Sequence, residues 1–281
     1  MIKKMFLALF VLLCVTALQA EIKEADKLSD VNGYVNSESL VFVNISDVLY
    51  APGSTLADNQ WRLYFTDRVH HLVNDKEAAE KLINRVKNQI VNDIPKKLVD
   101  AEAPTIVQSL QERQIPVLGI TRKMPKAPYV SNFDEVTSKH LQTLGIHLEK
   151  TMAYLSKGAT LSPSYSLAYG IVFTNKQAEG PAVLSFIESL DKLPKAIVMV
   201  DNSKEALESV QDALKATGIR FIGLHFDCCY ERAQRFDADL GTIEFLSYVN
   251  EHKMLSDDDA RVIKAKSPHQ EALLDAYIQQ Q

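Results

Sequence analysis

The stretch Ser39-Leu-Val-Phe-Val-Asn44-Ile-Ser46-Asp47-Val-Leu-Tyr50 begins as a continuous apolar run and ends in polar residues. Apolar runs of four to six residues without alternation are the pattern of a strand covered on both faces, as in a parallel sheet. The turn residues Pro52-Gly53-Ser54 follow. If Leu40 to Val43 is such a strand, then Asn44, Ser46 and Asp47 stand at its carboxyl end, where open α/β sheets place their binding sites.

Four further apolar runs share this character: "PVLGIT" ending at Thr121, "YGIVFTNK" reaching Lys176, "KAIVMVDN" ending on Asp201 and Asn202, and "IRFIGLHF" reaching His225. Between them lie amphipathic segments. "GPAVLSFIESLDKL" tolerates Pro181 in its first turn, and "SKEALESVQDALKATG" carries a Ser203 cap and a Gly218 stop. From Val117 onward strands and helices alternate. That order predicts an α/β fold, a doubly wound and mostly parallel sheet with helices on both faces. Phe133 to Leu144 has a helical pattern, Ile146 to Tyr169 has the turn content of a hairpin, and a helix is expected to start after Ser256.

The segment between the first two strands is too long for a simple crossover. "LADNQWRLYFTDRVHHLV" and "KEAAEKLINRVKNQIVNDI" carry apolar stripes at helical spacing: Trp61, Tyr64, Phe65, Val69 and Leu72, then Leu82, Val86, Ile90 and Ile94. The expected organisation is a signal peptide over 1–20, a polar, irregular lead-in over 21–38, a core formed by 39–50 and 114–281, and a helical cap insertion over 51–113.

The first twenty residues, "MIKKMFLALFVLLCVTALQA", read as a secretory leader. Lys3 and Lys4 precede an apolar run, and small residues close it near Ala20. The run is shorter than the roughly 20 residues of a membrane span, and no later segment reaches that length. Export to the periplasm or beyond the cell is therefore expected, with no membrane span once the leader is cut. The 281-residue chain has a formal charge of −5, and loss of Lys3 and Lys4 makes it more acidic. An acidic chain with no basic stripe does not fit nucleic acid as a partner. Cys228 and Cys229 are adjacent, so a bond between them would be strained. Free thiols or single external bonds are expected.

The order of the four polar strand ends resembles that of the haloacid dehalogenase-like phosphohydrolases, in an exported bacterial branch with degenerate motifs. "VFVNISDVL", "VLGIT", "GIVFTNKQAEGPAVLSFI" and "IVMVDNSKEAL" fit the family's four motif regions, and the likeness runs from about Ser39 to the tail. The resemblance implies a Rossmann-like core with a cap. It also implies that an attacking Asp would stand at Asn44, an acid/base Asp at Ser46, a hydroxyl at Thr121, a Lys at Glu179 before Gly180, and an acidic pair at Asp201 and Asn202.

The departures carry the functional expectation. An amide oxygen is a poor nucleophile, and a serine hydroxyl does not exchange protons near neutrality. A carboxylate at Glu179 repels phosphate. A metal would find Asp201, the Asn44 amide oxygen and a backbone carbonyl at Ser46, a set whose single carboxylate suits Mg²⁺ poorly. The expectation is a pseudo-phosphatase: no catalytic residue, no cofactor, and a crevice of Asn44, Ser46, Thr121 and Lys176 that binds a small ligand or leaves a protein partner to the cap. Asp47 is expected to serve the turn. The alternative is a Mg²⁺-dependent phosphohydrolase of unusual geometry that uses Asp47, Asp201 or Glu179. Two other clusters attract weaker readings. His225, Asp227, Cys228 and Cys229 alternate in direction, which disfavours a metal site. Asp257-Asp258-Asp259 reads as a solvated helix start.

Overall fold

A computed structural model of the chain describes residues 20–153, 155, 161–229, 234, 236–267 and 270–281. The expected leader, up to residue 19, lies outside the described residues. By internal contacts the chain forms two compact units. The first comprises residues up to Tyr50, Leu98–Pro125 and Phe133–Cys228; the second comprises Ala51–Lys97, Lys126–Asn132 and Cys229–Gln281.

The first unit is built on seven strands: β1 (Ala20–Glu24), β2 (Ser39–Asn44), β5 (Val117–Thr121), β6 (Ser166–Ala168), β7 (Ile171–Phe173), β8 (Ala196–Asp201) and β9 (Arg220–His225). Their order across the sheet is β1-β9-β8-β2-β5-β7-β6. All neighbours are parallel except β6 and β7, which form an antiparallel hairpin turning at Tyr169 and Gly170, later than the one expected within Ile146 to Tyr169. Tyr169 and Gly170 both take positive φ at its turn, the geometry that two-residue hairpins need. The short β3 (Tyr50–Pro52) and β4 (Lys96–Leu98) form a separate two-stranded sheet, within which the two units divide.

Each of the five expected core strands is present, and the reason lies in the alternation of their side chains. Val41, Val43, Val117, Val198 and Val200 enter one apolar cluster with Ile106 and Leu110 of α3 (Ala103–Glu112) and Leu141 of α4 (Phe133–Thr143). Leu40, Phe42, Leu118, Ile197 and Met199 enter the opposite one with Phe186 of α5 (Glu179–Glu188) and Val210 of α6 (Lys204–Leu214). Two faces needing cover explain why β2 shows no polar alternation: its first five residues are buried. Ser203 caps α6 as expected, its side chain accepting from the Ala206 amide.

Three expectations need correction. The segment 21–38 is not an irregular lead-in: β1 extends the sheet beside β9, and Leu28 and Val31 of the following 3-10 helix, Leu28–Gly33, are buried in the core. Alternation in "EIKE" is weak because an edge strand of a parallel sheet buries little. The insertion is shorter than 51–113, since α3 buries Ala103, Ile106, Val107 and Leu110 against the sheet of the first unit. The tail is not part of the core either. Residues from Cys229 onward join the second unit, where Phe245 of α7 (Ala238–Glu251) and Leu274 and Ile278 of α9 (Glu271–Gln279) pack with Trp61 and Phe65 of α1 (Asn59–Leu72) and with Leu82, Val86 and Ile90 of α2 (Lys76–Asp93). Trp61 stacks on Phe65 and both meet Phe245 at a tilt, with centroids 5.1–5.4 Å apart, so Trp61 and Phe65 of α1 are core. Between α7 and α9 runs α8 (Asp257–Lys266), which opens with the anticipated Ser256 cap.

At Gly180, α5 comes close against α6. A Cβ there would lie 2.1 Å from the Ser209 carbonyl oxygen of α6, a backbone atom that cannot swing away. Gly180→Ala should lower the unfolding free energy by about 1–3 kcal/mol through overpacking, measured by urea denaturation. An unchanged midpoint would contradict this packing.

Candidate functional site

The sequence-predicted residues at the ends of β2, β5 and β8 come together at the carboxyl edge of three adjacent strands. Here the chain leaves β2 first towards β5 and later returns to β8 on its other side, the switch point at which doubly wound sheets bind ligands.

Asn44 is the hub. Its side-chain nitrogen donates to Asp201 Oδ1 at 3.2 Å and to Asn202 Oδ1 at 2.9 Å. Both hydrogens of the amide are thus spent on the end of β8, and the amide oxygen is left to accept. Asp201 Oδ1 also accepts from the Ser203 amide at 2.9 Å. Asp201 is 1% exposed. Burial pushes its carboxyl up to about 7, and Glu179 acts in the same direction, against the pull of the Ser203 and Asn44 hydrogen bonds and of Arg122. Both protein donors go to Oδ1, so Oδ2 is the natural seat of the proton. Near neutrality the group is poised between acid and carboxylate.

After Asn44 the backbone turns at once. The Leu49 and Tyr50 amides donate to the Ile45 carbonyl, the Asp47 amide donates to the Tyr50 carbonyl, and Asp47 takes φ 64°. Aspartate is among the few non-glycine residues that visit this left-handed region readily, so the expected turn role of Asp47 has a physical basis. Ser46 is half-buried beside it and bridges to Tyr50 through the backbone.

Thr121 is buried at the end of β5, and its hydroxyl accepts weakly from the Lys123 amide at 3.4 Å. The next residue, Arg122, forms the strongest interaction at this edge. Its Nε and Nη2 donate to the two carboxylate oxygens of Glu179 at 2.7 and 2.8 Å. The Glu179 side chain is 6% exposed and that of Arg122 is 52% exposed, so a buried carboxylate holds a half-exposed guanidinium. The Glu179 hydrogen bond, against the cost of burial, raises Arg122 above the usual arginine value. Glu179 is therefore no lone repulsive carboxylate, as its position before Gly180 suggested; its charge is matched. Sequence reasoning missed Arg122, although a charged residue directly after a strand-end Thr was the available signal.

The Lys176 amide donates to the Arg122 carbonyl at 2.7 Å, which ties the β7 turn to this edge; Asn175 and Lys176 both have positive φ. The Lys176 side chain is exposed. On the far side of β8, the two His225 ring nitrogens face acceptors: Glu24 Oε2 at 2.6 Å and the Asn202 carbonyl at 3.2 Å. Lys204 reaches the other Glu24 oxygen at 2.7 Å. The edge strand β1, absent from the sequence reading, thus braces Asn202 from behind.

Among the described residues no group of three or more His, Cys, Asp or Glu side chains is placed to hold a metal ion, at the strand ends or around His225, Asp227, Cys228 and Cys229. Cys228 and Cys229 are both free of disulfides. No helix among the described residues is long and apolar enough to cross a membrane.

Comparison with known proteins spans this whole arrangement. A family model described as a protein of unknown function, DUF2608, matches residues 24–261. The chain belongs to that family. An uncharacterized protein of Rickettsia prowazekii is 22% identical over 235 residues, covering 80% of this chain and 83% of that protein. A Chlamydia muridarum protein named "Putative outer membrane protein" is 21% identical over 265 residues, covering 92% of this chain and 97% of its own length. A Chlamydia pneumoniae protein of the same description is 26% identical over 138 residues, about half of each chain. No solved structure matches significantly. The matched span of this DUF2608 chain holds every residue at the crevice, from Glu24 to His225.

Two outcomes test the electrostatics. A carboxyl raised by folding is most favourable to stability while protonated, so its contribution is fully present below pH 4 and is lost as pH rises through about 7. Three units correspond to about 4 kcal/mol as an order of magnitude. Asp201→Asn keeps Oδ1 as an acceptor and removes the ionisation. It should flatten the stability profile between pH 4 and 7 relative to wild type and be the more stable protein at pH 8, read by denaturant titration across pH. Arg122→Gln strands the Glu179 carboxylate and should cost about 1–3 kcal/mol, discounted for the water that reaches the guanidinium. Arg122→Gln with Glu179→Gln should recover most of that loss; a double-mutant cycle with no coupling would contradict the pair's role.

Proposed function

We propose that this crevice is the relic of a haloacid dehalogenase-like phosphohydrolase site, and that the protein is an exported binding or interaction protein in which phosphoryl transfer has been lost. The observation that carries the reading is the use to which Asn44 is put. At the position of the expected nucleophile stands an amide whose hydrogens are both committed to Asp201 and Asn202. It holds two strands together and has no electron pair of useful nucleophilicity to offer. Ser46 supplies a hydroxyl, with none of the proton affinity near neutrality that general acid–base catalysis needs.

Charge supports the same conclusion. Glu179 is satisfied by Arg122, and Asp201 sits near its protonation point. What remains for a ligand is a set of neutral hydrogen-bonding groups, the Asn44 amide oxygen and the Ser46 and Thr121 hydroxyls, beside the half-exposed guanidinium of Arg122. Such a set suits orientation of a small polar molecule and lacks the concentrated negative charge that recruits Mg²⁺. Lys176, exposed beside it, adds a second cation at the rim. Export rests on the leader-like start and on the description of the chlamydial relatives.

Purified mature protein should hydrolyse p-nitrophenyl phosphate no faster than the buffer background, with or without Mg²⁺. Turnover that disappears in Asn44→Ala would overturn the reading. Spontaneous deamidation of Asn44 to Asp imitates a nucleophile, so intact mass is measured on the same sample.

A further inference from the structure

The second unit contains a buried acid that the crevice does not use. Glu244, in the middle of α7, is 2% exposed. Its Oε2 accepts from the Leu56 amide at 2.6 Å. The preceding amide, of Thr55, donates to Asp257 Oδ1 at 3.0 Å. Two carboxyl groups from two different helices therefore satisfy consecutive amides at the start of the 3-10 turn Thr55–Ala57. The two side chains lie within hydrogen-bonding reach of one another, and Ser54 also bonds Glu244.

Glu244 Oε1 is buried and receives no donor from the protein. A buried carboxylate oxygen without a donor is costly, and a second carboxylate beside it makes it more so. Both costs vanish if Oε1 carries a proton and donates it to Asp257. Asp257 is the first residue of α8, and the helix start that appeared solvated in the sequence is fastened by this contact.

We propose that a proton shared between Glu244 and Asp257 locks the start of α8 onto α7 and the 3-10 turn, and that its loss in alkali releases α8. Two other contacts of that helix lie among the described residues. Its apolar anchor on α7 is the small cluster Leu240, Ile243, Leu255 and Ala260. Val262 and Ile263 are exposed. At the far end Lys264 pairs with Asp237 and Asp239 at 2.7–2.9 Å, about 10 Å along the axis from Asp257. Among the charged groups of the described residues, Asp257 faces Glu244, and the 3-10 turn presents the Ser54 hydroxyl and backbone amides.

Burial, reinforced by Asp257, pushes Glu244 up to about 8. The sign follows: the lock's contribution is fully present below the ordinary glutamate value and is lost progressively as pH rises to about 8.

Hydrogen exchange of the full chain, followed by mass spectrometry on peptides covering residues 252–267 and corrected for intrinsic rate, tests the lock. In wild type, protection of α8 should fall by up to about tenfold per pH unit from pH 6 to about pH 8 and level off towards pH 9. Glu244→Gln keeps a donor towards Asp257 and cannot ionise, so its α8 protection should not vary over that range. Asp257→Asn, which donates to an ionised Glu244, should flatten the profile as well and carries the test if Glu244→Gln does not fold by circular dichroism. Protection in wild type that does not change with pH, or an equal fall in both variants, would overturn the proposal.

Discussion

The contact on which the site depends is the pair of hydrogen bonds from the Asn44 amide to Asp201 and Asn202. β2 and β8 are neighbours in the centre of a parallel sheet, buried on both faces, so their ends arrive side by side with no freedom to part. Whatever stands at residue 44 meets Asp201 at hydrogen-bonding distance. An aspartate there would set two carboxylates against each other, a juxtaposition that demands a cation or a shared proton. An amide removes the demand, since it meets acceptors with donors.

The same logic of internal satisfaction runs along the edge. The buried Glu179 carboxylate would be intolerable alone at the end of β5, and Arg122 matches it through two parallel hydrogen bonds, the geometry arginine makes best. Asp201 answers burial by holding its proton near neutrality. β1 contributes Glu24, which with His225 braces the backbone of Asn202. In the second unit, the Glu244 and Asp257 carboxyls meet under the same constraint and are supplied with donors by consecutive amides.

The central strands were legible in the sequence because a strand covered on both faces must be apolar throughout, and Leu40–Val43, Val117–Ile120 and Ile197–Val200 leave no other reading. The polar residues that end them were legible as a set for the same reason. What escaped is informative. β1 carries the residues EIKE, polar because an edge strand has little to bury, so its place beside β9 depends on pairing that no periodicity announces. The allocation of α3 to the sheet and of α7 to α9 to the second unit depends on which apolar face meets which, and an amphipathic helix does not name its partner. Arg122 stood at a strand end, a visible position, but its pairing with Glu179 was not readable because that partner lies 57 residues away. Asp257, within an acidic triplet, looked like a helix start in water; its inward contact exists only because Thr55 and Glu244 are brought to it by the fold.

The account stands or falls on residue 44, and the direct measurement is the unfolding free energy of Asn44→Asp against wild type at pH 5 and pH 8, each with and without millimolar Mg²⁺. The predicted result is a loss in the variant that is larger at pH 8, where both carboxylates ionise, and that Mg²⁺ relieves only in the variant. A variant as stable as wild type at pH 8 without Mg²⁺ would show that residue 44 does not face Asp201 as described, and the reading of the crevice would fail with it.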